Sequence, residues 1–127
     1  MRSAFVSMTA VLILAVSVCI VSMMLHFRLV NAMDELCGEA IERVIAEDIS
    51  GTMDYVGKLK VKLDESTYLM EMVASHDQLH EAMTNIIEAR VALECEDMDD
   101  AYQALARLQG ILDHIRDHEK LTISNLC

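Results

Sequence analysis

Two pairs of histidines are the side chains in this sequence best suited to chemistry. His76 and His80 are four residues apart, and so are His114 and His118. Residues four apart lie on one face of a helix, where two imidazoles can bind the same transition metal. If their helices form a hairpin that turns near Asp97, His80 lies level with His114, and His76 lies level with His118. The spacing therefore predicts a site for zinc, copper or nickel. The alternative is that the four rings are solvated residues at helix ends.

Three cysteines form the next candidate site. Cys37, Cys95 and Cys127 all lie after the apolar run at the start of the chain. If successive helices alternate in direction, Cys37 and Cys127 lie at one end of the protein and Cys95 lies at the other. A disulfide between Cys37 and Cys127 is then the one plausible intrachain pair. Free thiols are the alternative, because Cys37 also fits the apolar face of a helix.

Patterns typical of an enzyme are missing from the sequence. No nucleophile, base and acid stand at a recognisable spacing, and there is no glycine-rich loop that would bind phosphate. The 21 acidic residues are numerous, but they are distributed like those of a solvated helix surface. We therefore expect a non-catalytic protein without a cofactor.

The element that positions the rest is an apolar run at the start of the chain. Residues 4–25, AFVSMTAVLILAVSVCIVSMML, carry no charge. As a helix the run would be roughly 33 Å long, enough to cross a hydrocarbon core of about 30 Å. We interpret residues 1–30 as a single transmembrane anchor in the cytoplasmic membrane. The alternative is a signal peptide cleaved after Val30-Asn31-Ala32. Arg2 precedes the run and favours an extracytoplasmic position for the domain at residues 31–127.

Apolar residues recur every three or four positions after the anchor, as in amphipathic helices. Only the alternation of lysine and apolar residues at 58–63 would also suit a β-strand. Ser75 and Gln78 have the spacing of a capping box, and Asp97 is a predicted N-cap. We expect the tail at residues 121–126 to fold back on the protein. The predicted helices cover residues 31–48, with no breaker after the anchor, then 52–74 after a break at Ser50-Gly51, then 76–95, and a fourth from Asp97 up to the tail.

These helices predict an all-α fold, in which the N-terminal transmembrane helix is followed by an antiparallel bundle of three or four helices. The fourth helix has the clearest apolar face, with heptad-like spacing. In a short repeat, Arg43-Val44, Glu47 and Tyr55 recur at an offset of 47 as Arg90-Val91, Glu94 and Tyr102, which would give two stacked helical hairpins. The alternative is a chance similarity between helical segments. The predicted buried residues of the third helix are Leu79, Met83, Ile86, Ile87 and Val91, and those of the fourth are Met98, Ala101, Leu105, Leu108, Leu112 and Ile115.

The charge of the domain excludes one class of partner. Arg2 and Arg28 are the only charged residues in the first 32 positions, so the remaining 95 residues carry 8 basic and 21 acidic side chains, a formal charge of −13. Nucleic-acid binding needs lysine and arginine to neutralise phosphates. We therefore expect no nucleic-acid partner.

Four stretches of the C-terminal part carry a resemblance: Ser75-His76-Asp77, Leu112-Asp113-His114-Ile115, Glu119-Lys120-Leu121-Thr122 and Asn125-Leu126. Through them, and in length over nearly its whole extent, the chain resembles a family of short bacterial proteins that is catalogued as a domain of unknown function. The resemblance implies a single-span, exported helical domain, typical of spore-forming and related bacteria. Members of that family tend to be encoded beside polytopic membrane proteins, which implies an accessory role. The resemblance implies no catalytic residues.

Taken together, these features predict a membrane-tethered helical interaction module. Its partners would be the lipid bilayer, contacted through residues 4–25, and either a membrane protein or a second copy of the chain. The alternative is an extracytoplasmic metal-binding or metal-sensing domain that uses the four histidines.

Overall fold

A computed structural model of the chain describes residues 1–71 and 74–126, and the side chains at positions 119, 122, 123 and 126 lie outside that description. Helices are the only regular elements in the described part of the chain. The stretch at 58–63 is helical, so the strand alternative is wrong. The five helices are α1 (Arg2–Ile45), α2 (Ile49–Glu65), α3 (Thr67–Glu71), α4 (His76–Glu94) and α5 (Met98–Leu126).

Helix α1 joins the apolar run to the body of the protein without a break. It contains no proline, and its one glycine is Gly38, so nothing interrupts the helix between the run and the body. Its buried residues begin only at His26 and continue to Val44. The part of α1 before His26 therefore contributes no buried residue, whereas the part from His26 onward contributes to the core.

The turn between α1 and α2 differs from the prediction. We expected the break at Ser50-Gly51, but α1 ends at Ile45, and Glu47 adopts a positive φ of 57°. The amide of Asp48 donates to the carbonyl of Arg43, which is the pattern of a helix C-terminus closed by a left-handed residue. The carboxylate of Asp48 then accepts a hydrogen bond from the amide of Gly51 at 3.0 Å and caps α2.

The turn between α4 and α5 repeats this geometry, with Glu96 in the place of Glu47. Glu96 has a positive φ of 56°, and the amide of Asp97 donates to the carbonyl of Ala92. The carboxylate of Asp97 accepts from the amide of Asp100 at 3.1 Å, which confirms the predicted N-cap.

The two turns are offset by 49 positions, and the same offset aligns the two cores, so the predicted offset of 47 is wrong. We call α1 with α2 the first hairpin and α4 with α5 the second. Most buried residues of the first hairpin have a buried counterpart in the second. The internal repeat is therefore structural, with few identical residues. The pairs are Val30 with Leu79, Met33 with Ala82, Cys37 with Ile86, Ala40 with Ala89, Val44 with Leu93, Thr52 with Ala101, Val56 with Leu105, Leu59 with Leu108, and Leu63 with Leu112.

Two further helix ends differ from the sequence prediction. The helix expected at 52–74 breaks at Ser66, and the hydroxyl of Thr67 donates back to the carbonyl of Leu63 at 2.9 Å. The short α3 that follows buries Met70. The tail does not fold back, because α5 continues to Leu126. The capping box of Ser75 and Gln78 at the start of α4 is confirmed.

The body is held together by four helix pairs. Helix α1 packs against α2 and α5, and α4 packs against the same two helices. The predicted buried face of α5 is confirmed, with Met98 at its edge and five fully buried residues. A single apolar core thus lies between the four long helices, and α3 closes the end between α2 and α4.

Candidate functional site

The first candidate surface is the N-terminal part of α1. None of its most apolar 18-residue window is buried, and the mean hydropathy of that window is 2.7. The hydroxyls of Thr9 and Ser17 donate to the carbonyls of Phe5 and Ile13, each at 2.8 Å. These hydroxyls are satisfied within the helix, as a lipid environment requires. By its length and composition, this helix can cross a membrane.

The second candidate surface is a groove between α2 and α4, which we call the α2–α4 groove. It has a volume of about 730 Å³. Ile87 and Val91 line it and remain 47% and 52% exposed, although the sequence predicted that both are buried. The full lining is Met53, Val56, Gly57, Lys60, Ile86, Ile87, Arg90, Val91 and Glu94.

Alanines explain why the prediction for α4 was wrong. The buried face of α4 combines Leu79, Ile86 and Leu93 with Ala82 and Ala89. These small residues face the neighbouring helices, whereas the larger Ile87 and Val91 lie between about a third and a half of a turn away around α4. Counting alanines as core residues at a spacing of three and four would have found this face in the sequence.

The rim of the α2–α4 groove is charged. Arg90 Nε lies 3.4 Å from Glu94 Oε1, and Lys60 lines the opposite wall. Lys58 and Lys62, the neighbouring lysines on α2, line a different pocket together with Leu36 of α1. The groove therefore combines an apolar floor with one lysine and one arginine–glutamate pair.

The four histidines are exposed and lie on two helices. His76 and His80 line a small pocket of about 180 Å³ together with Thr67 and Glu71. His114 and His118 lie on the outer face of α5. Over residues 1–71 and 74–126, no three His, Cys, Asp or Glu side chains are grouped so that they could hold a metal ion. Metal binding through these histidines stays a prediction.

The hairpin register behind that prediction agrees with the contacts of α4 and α5. Arg107 Nε donates to Asn85 Oδ1 at 3.0 Å, and Arg107 Nη2 donates to Glu88 Oε2 at 2.8 Å. Arg107 is therefore level with residues 85–88, as a turn near Asp97 requires. A shared level does not by itself bring histidines together, because each ring also depends on the rotation of its helix about the axis.

A polar cluster lies at the seam between α1 and α5. Arg116 donates to Asp34 Oδ2 at 3.0 Å and to Asp113 Oδ1 at 2.5 Å. Asp34 Oδ1 is buried and makes no hydrogen bond with the described residues. Local patterns could not reveal this cluster, because Asp34 and Arg116 are 82 positions apart.

Cys37 is a free, buried thiol beside the same cluster. Its Sγ donates to the carbonyl of Leu105 at 3.3 Å. Burial, together with the negative charges of Asp34 and Asp113, raises the pKa of Cys37 to about 12. The thiol is therefore protonated and unreactive at neutral pH. Cys127 lies outside the described residues, so the predicted bridge between Cys37 and Cys127 stays a prediction.

Comparisons with protein-family models, with curated proteins and with solved structures give no match to this chain.

Proposed function

We propose that the chain is a membrane-tethered, non-catalytic helical interaction module. The observation that carries the proposal is the contrast along α1, which has no buried residue before His26 and lies in a core thereafter. Covering one large apolar side chain is worth about 1.5–3 kcal/mol. The whole run is therefore worth more than the roughly 5–15 kcal/mol that stabilises a small protein. Lipid is the medium that covers such a run.

In this proposal the body is an antiparallel four-helix bundle outside the cytoplasmic membrane. Helices α1, α2, α4 and α5 alternate in direction, and residues 1–3 lie on the cytoplasmic side. The family resemblance, with its neighbouring polytopic membrane proteins, supports an accessory role. The bundle would act by binding such a protein, or a second copy of itself.

The α2–α4 groove is the surface that we assign to the partner. It leaves two branched apolar side chains, Ile87 and Val91, half exposed in the centre of an acidic body. Exposed apolar residues that gather in a groove mark binding surfaces more often than scattered ones do. Lys60, which faces the Arg90–Glu94 pair across the groove, favours an apolar helix that also carries an acidic residue.

Membrane retention tests the anchor. We expect the full chain to stay in the membrane pellet after alkaline carbonate extraction and to keep its N-terminus when its mass is measured. The matched control is a chain with Leu12→Arg and Leu14→Arg, because each charge in a membrane centre costs about 2.5–3.5 kcal/mol. Release of the unaltered chain into the aqueous phase, or a mature chain that begins at Met33, would contradict the anchor.

Labelling of Cys95 tests the orientation. This thiol is exposed at the turn between α4 and α5. In a Cys127→Ser background, we expect a membrane-impermeant maleimide to label Cys95 in intact cells. The control is a variant that also carries Cys95→Ser, in which no residue after the apolar run should be labelled. Labelling that requires lysis would place the bundle in the cytoplasm instead.

Photo-crosslinking tests the partner surface. A photoreactive residue at Val91 should give a discrete crosslinked product in cells, whereas one at Glu81, which is exposed on the same helix, should not. Mass spectrometry of the product then separates a membrane protein from a second copy. Equal products from both positions, or none from Val91, would remove the groove from the proposal.

A further inference from the structure

A second exposed apolar feature lies on α3, the short helix between α2 and α4. Tyr68 is 85% exposed, and Leu69, its neighbour, is 39% exposed. The other large apolar residue of this helix, Met70, is buried and fixes α3 to the core. Tyr68 and Leu69 are therefore held outward on an anchored element.

The packing of α2 on α1 gives the level of α3 along the molecule. Helices α1 and α2 pack against each other and are joined by only residues 46–48, so they run antiparallel from that turn. Residues later in α2 therefore lie level with residues earlier in α1, closer to the apolar run. Counted from that turn, Tyr68 reaches the level of about residues 26–28 of α1, where the run has just ended.

The contacts of α5 with α1 place the C-terminal part of α5 at the same end of the body as α3. Its contact between Arg116 and Asp34 places residue 116 level with residue 34 of α1. Because α5 runs antiparallel to α1, this contact and that of Cys37 with Leu105 place Leu121 between the levels of about residues 21 and 29, and it is 63% exposed. Exposed apolar side chains from two elements thus lie near the level at which α1 leaves the body.

Because α1 is one continuous helix, a position along α1 corresponds to a depth relative to the proposed membrane. Residues 2–45 form one helix, so the end of the apolar run and the start of the body are joined rigidly. If residues 4–25 span the hydrocarbon, residues at the level of 26–29 lie among the lipid headgroups. Tyrosine prefers this boundary, since its ring is apolar and its hydroxyl can remain hydrated.

We propose that α3 is a second membrane contact, in which Tyr68 and Leu69 insert at the boundary between lipid headgroups and acyl chains. This inference rests on the proposed membrane anchor. The contact is driven by apolar insertion and not by charge, because Asp64, Glu65 and Glu71 flank the two residues. It keeps the end of the bundle on the bilayer surface.

Single tryptophans test the inference, because the chain contains none. Three variants of the full chain, Leu14→Trp, Tyr68→Trp and Tyr102→Trp, are placed in phosphatidylcholine vesicles that carry nitroxide quenchers on the headgroup or along the acyl chain. Tyr102 is exposed near the opposite end of the body, roughly 30 Å from the level of Tyr68. We expect headgroup quenching of Tyr68→Trp to exceed that of Tyr102→Trp at least threefold, and acyl-chain quenching to be strongest for Leu14→Trp.

The outcomes separate the two proposals. If Leu14→Trp is quenched by the acyl-chain label but Tyr68→Trp is quenched no more than Tyr102→Trp, the contact of α3 is wrong and the anchor stands. If Leu14→Trp is not quenched, the anchor itself fails. Adding anionic lipid should leave quenching at position 68 unchanged, and a contact that requires anionic lipid would contradict apolar insertion. Circular dichroism confirms that each variant keeps its helix content.

Discussion

The two helical hairpins of this protein have the same core but different ends. The hairpin of α1 and α2 and the hairpin of α4 and α5 align at an offset of 49, through their turns, their aspartate caps and nine pairs of buried residues. Helix α4 begins at His76, directly after its capping box, whereas α1 begins at Arg2 and has its first buried residue only at His26. A complete hairpin therefore needs no counterpart of the apolar run. The run serves a purpose other than packing the body.

The hairpins also differ in polarity at one matched region. Asp34 and Cys37 in the first hairpin correspond to Met83 and Ile86 in the second. The first hairpin thus places a carboxylate and a thiol at the seam with α5, where Arg116 neutralises the carboxylate. Substitutions at matched positions can test how far the two hairpins are equivalent, from the shared core down to the shared turns.

The largest effect is expected in the shared core. Leu59 and Leu108 occupy matched positions and are both fully buried. We expect Leu59→Ala and Leu108→Ala each to lower the free energy of unfolding by about 2–5 kcal/mol, because each leaves a cavity. Urea unfolding of the full chain in mild detergent, followed by circular dichroism, measures the loss. The control is Val61→Ala, which is exposed and should cost less than about 0.5 kcal/mol. A large loss at only one leucine would break the equivalence of the hairpins.

The next effect belongs to the polar seam between α1 and α5, where Asp34 of the first hairpin meets Arg116 of the second. We expect Arg116→Ala to cost about 1–3 kcal/mol, because Asp34 is then left partly buried without its cation. Arg90→Ala is the matched control, since its pair with Glu94 is half exposed and worth about 0–1 kcal/mol. Equal losses from the two arginines in the same unfolding experiment would show that the seam contributes nothing special.

The aspartate caps should differ slightly between the hairpins. We expect Asp48→Ala and Asp97→Ala each to cost about 0.5–2 kcal/mol, with the larger loss at Asp48. Asp48 also pairs with Arg43 at 3.2 Å, whereas a hydrogen bond and the charge of Asp97 raise the pKa of Asp100. Removal of Asp97 therefore also relieves a contact between two acids. A larger loss at Asp97 in urea unfolding would reverse this ranking.

The smallest effect is a gain in stability at the two turns. Glu47 and Glu96 hold a left-handed conformation that glycine adopts without strain. We expect Glu47→Gly and Glu96→Gly each to raise the free energy of unfolding by about 0.5–1 kcal/mol, and the double variant to gain the sum. Ala46→Gly, one residue away at a negative φ of −78°, is the control and should be destabilising, because alanine adopts this φ without strain. A loss at both glutamates would mean that their side chains stabilise the turns.

Local patterns in the sequence were sufficient for much of the fold. The apolar run, the capping box at Ser75, the cap at Asp97 and the buried face of α5 depend on neighbours within a few residues, and all four were predictable. The turn at Glu47 was not, because a glutamate in a left-handed conformation leaves no glycine to mark it. The sequence therefore pointed to the nearest glycine, Gly51, which lies inside the first turn of α2.

The candidate surfaces depended on information that the sequence holds only indirectly. The sequence prediction placed the buried face of α4 on its large residues, including Ile87 and Val91. In the structure, the smaller Ala82 and Ala89 are buried instead. The seam between Asp34 and Arg116 joins distant parts of the chain and has no local pattern. Whether four histidines converge depends on the rotation of two helices about their axes, which spacing along the chain does not determine.

If α1 spans a bilayer as proposed, its unbroken helix fixes the orientation of the body relative to that bilayer. A transmembrane helix tilts by about 20° on average, and the angle changes with bilayer thickness. Because no hinge separates the apolar run from the core, the turns near Glu47 and Glu96, roughly 30 Å above the lipid, would shift sideways by about 10 Å for that tilt. The position of a partner bound to those turns would therefore change with the thickness of the surrounding bilayer.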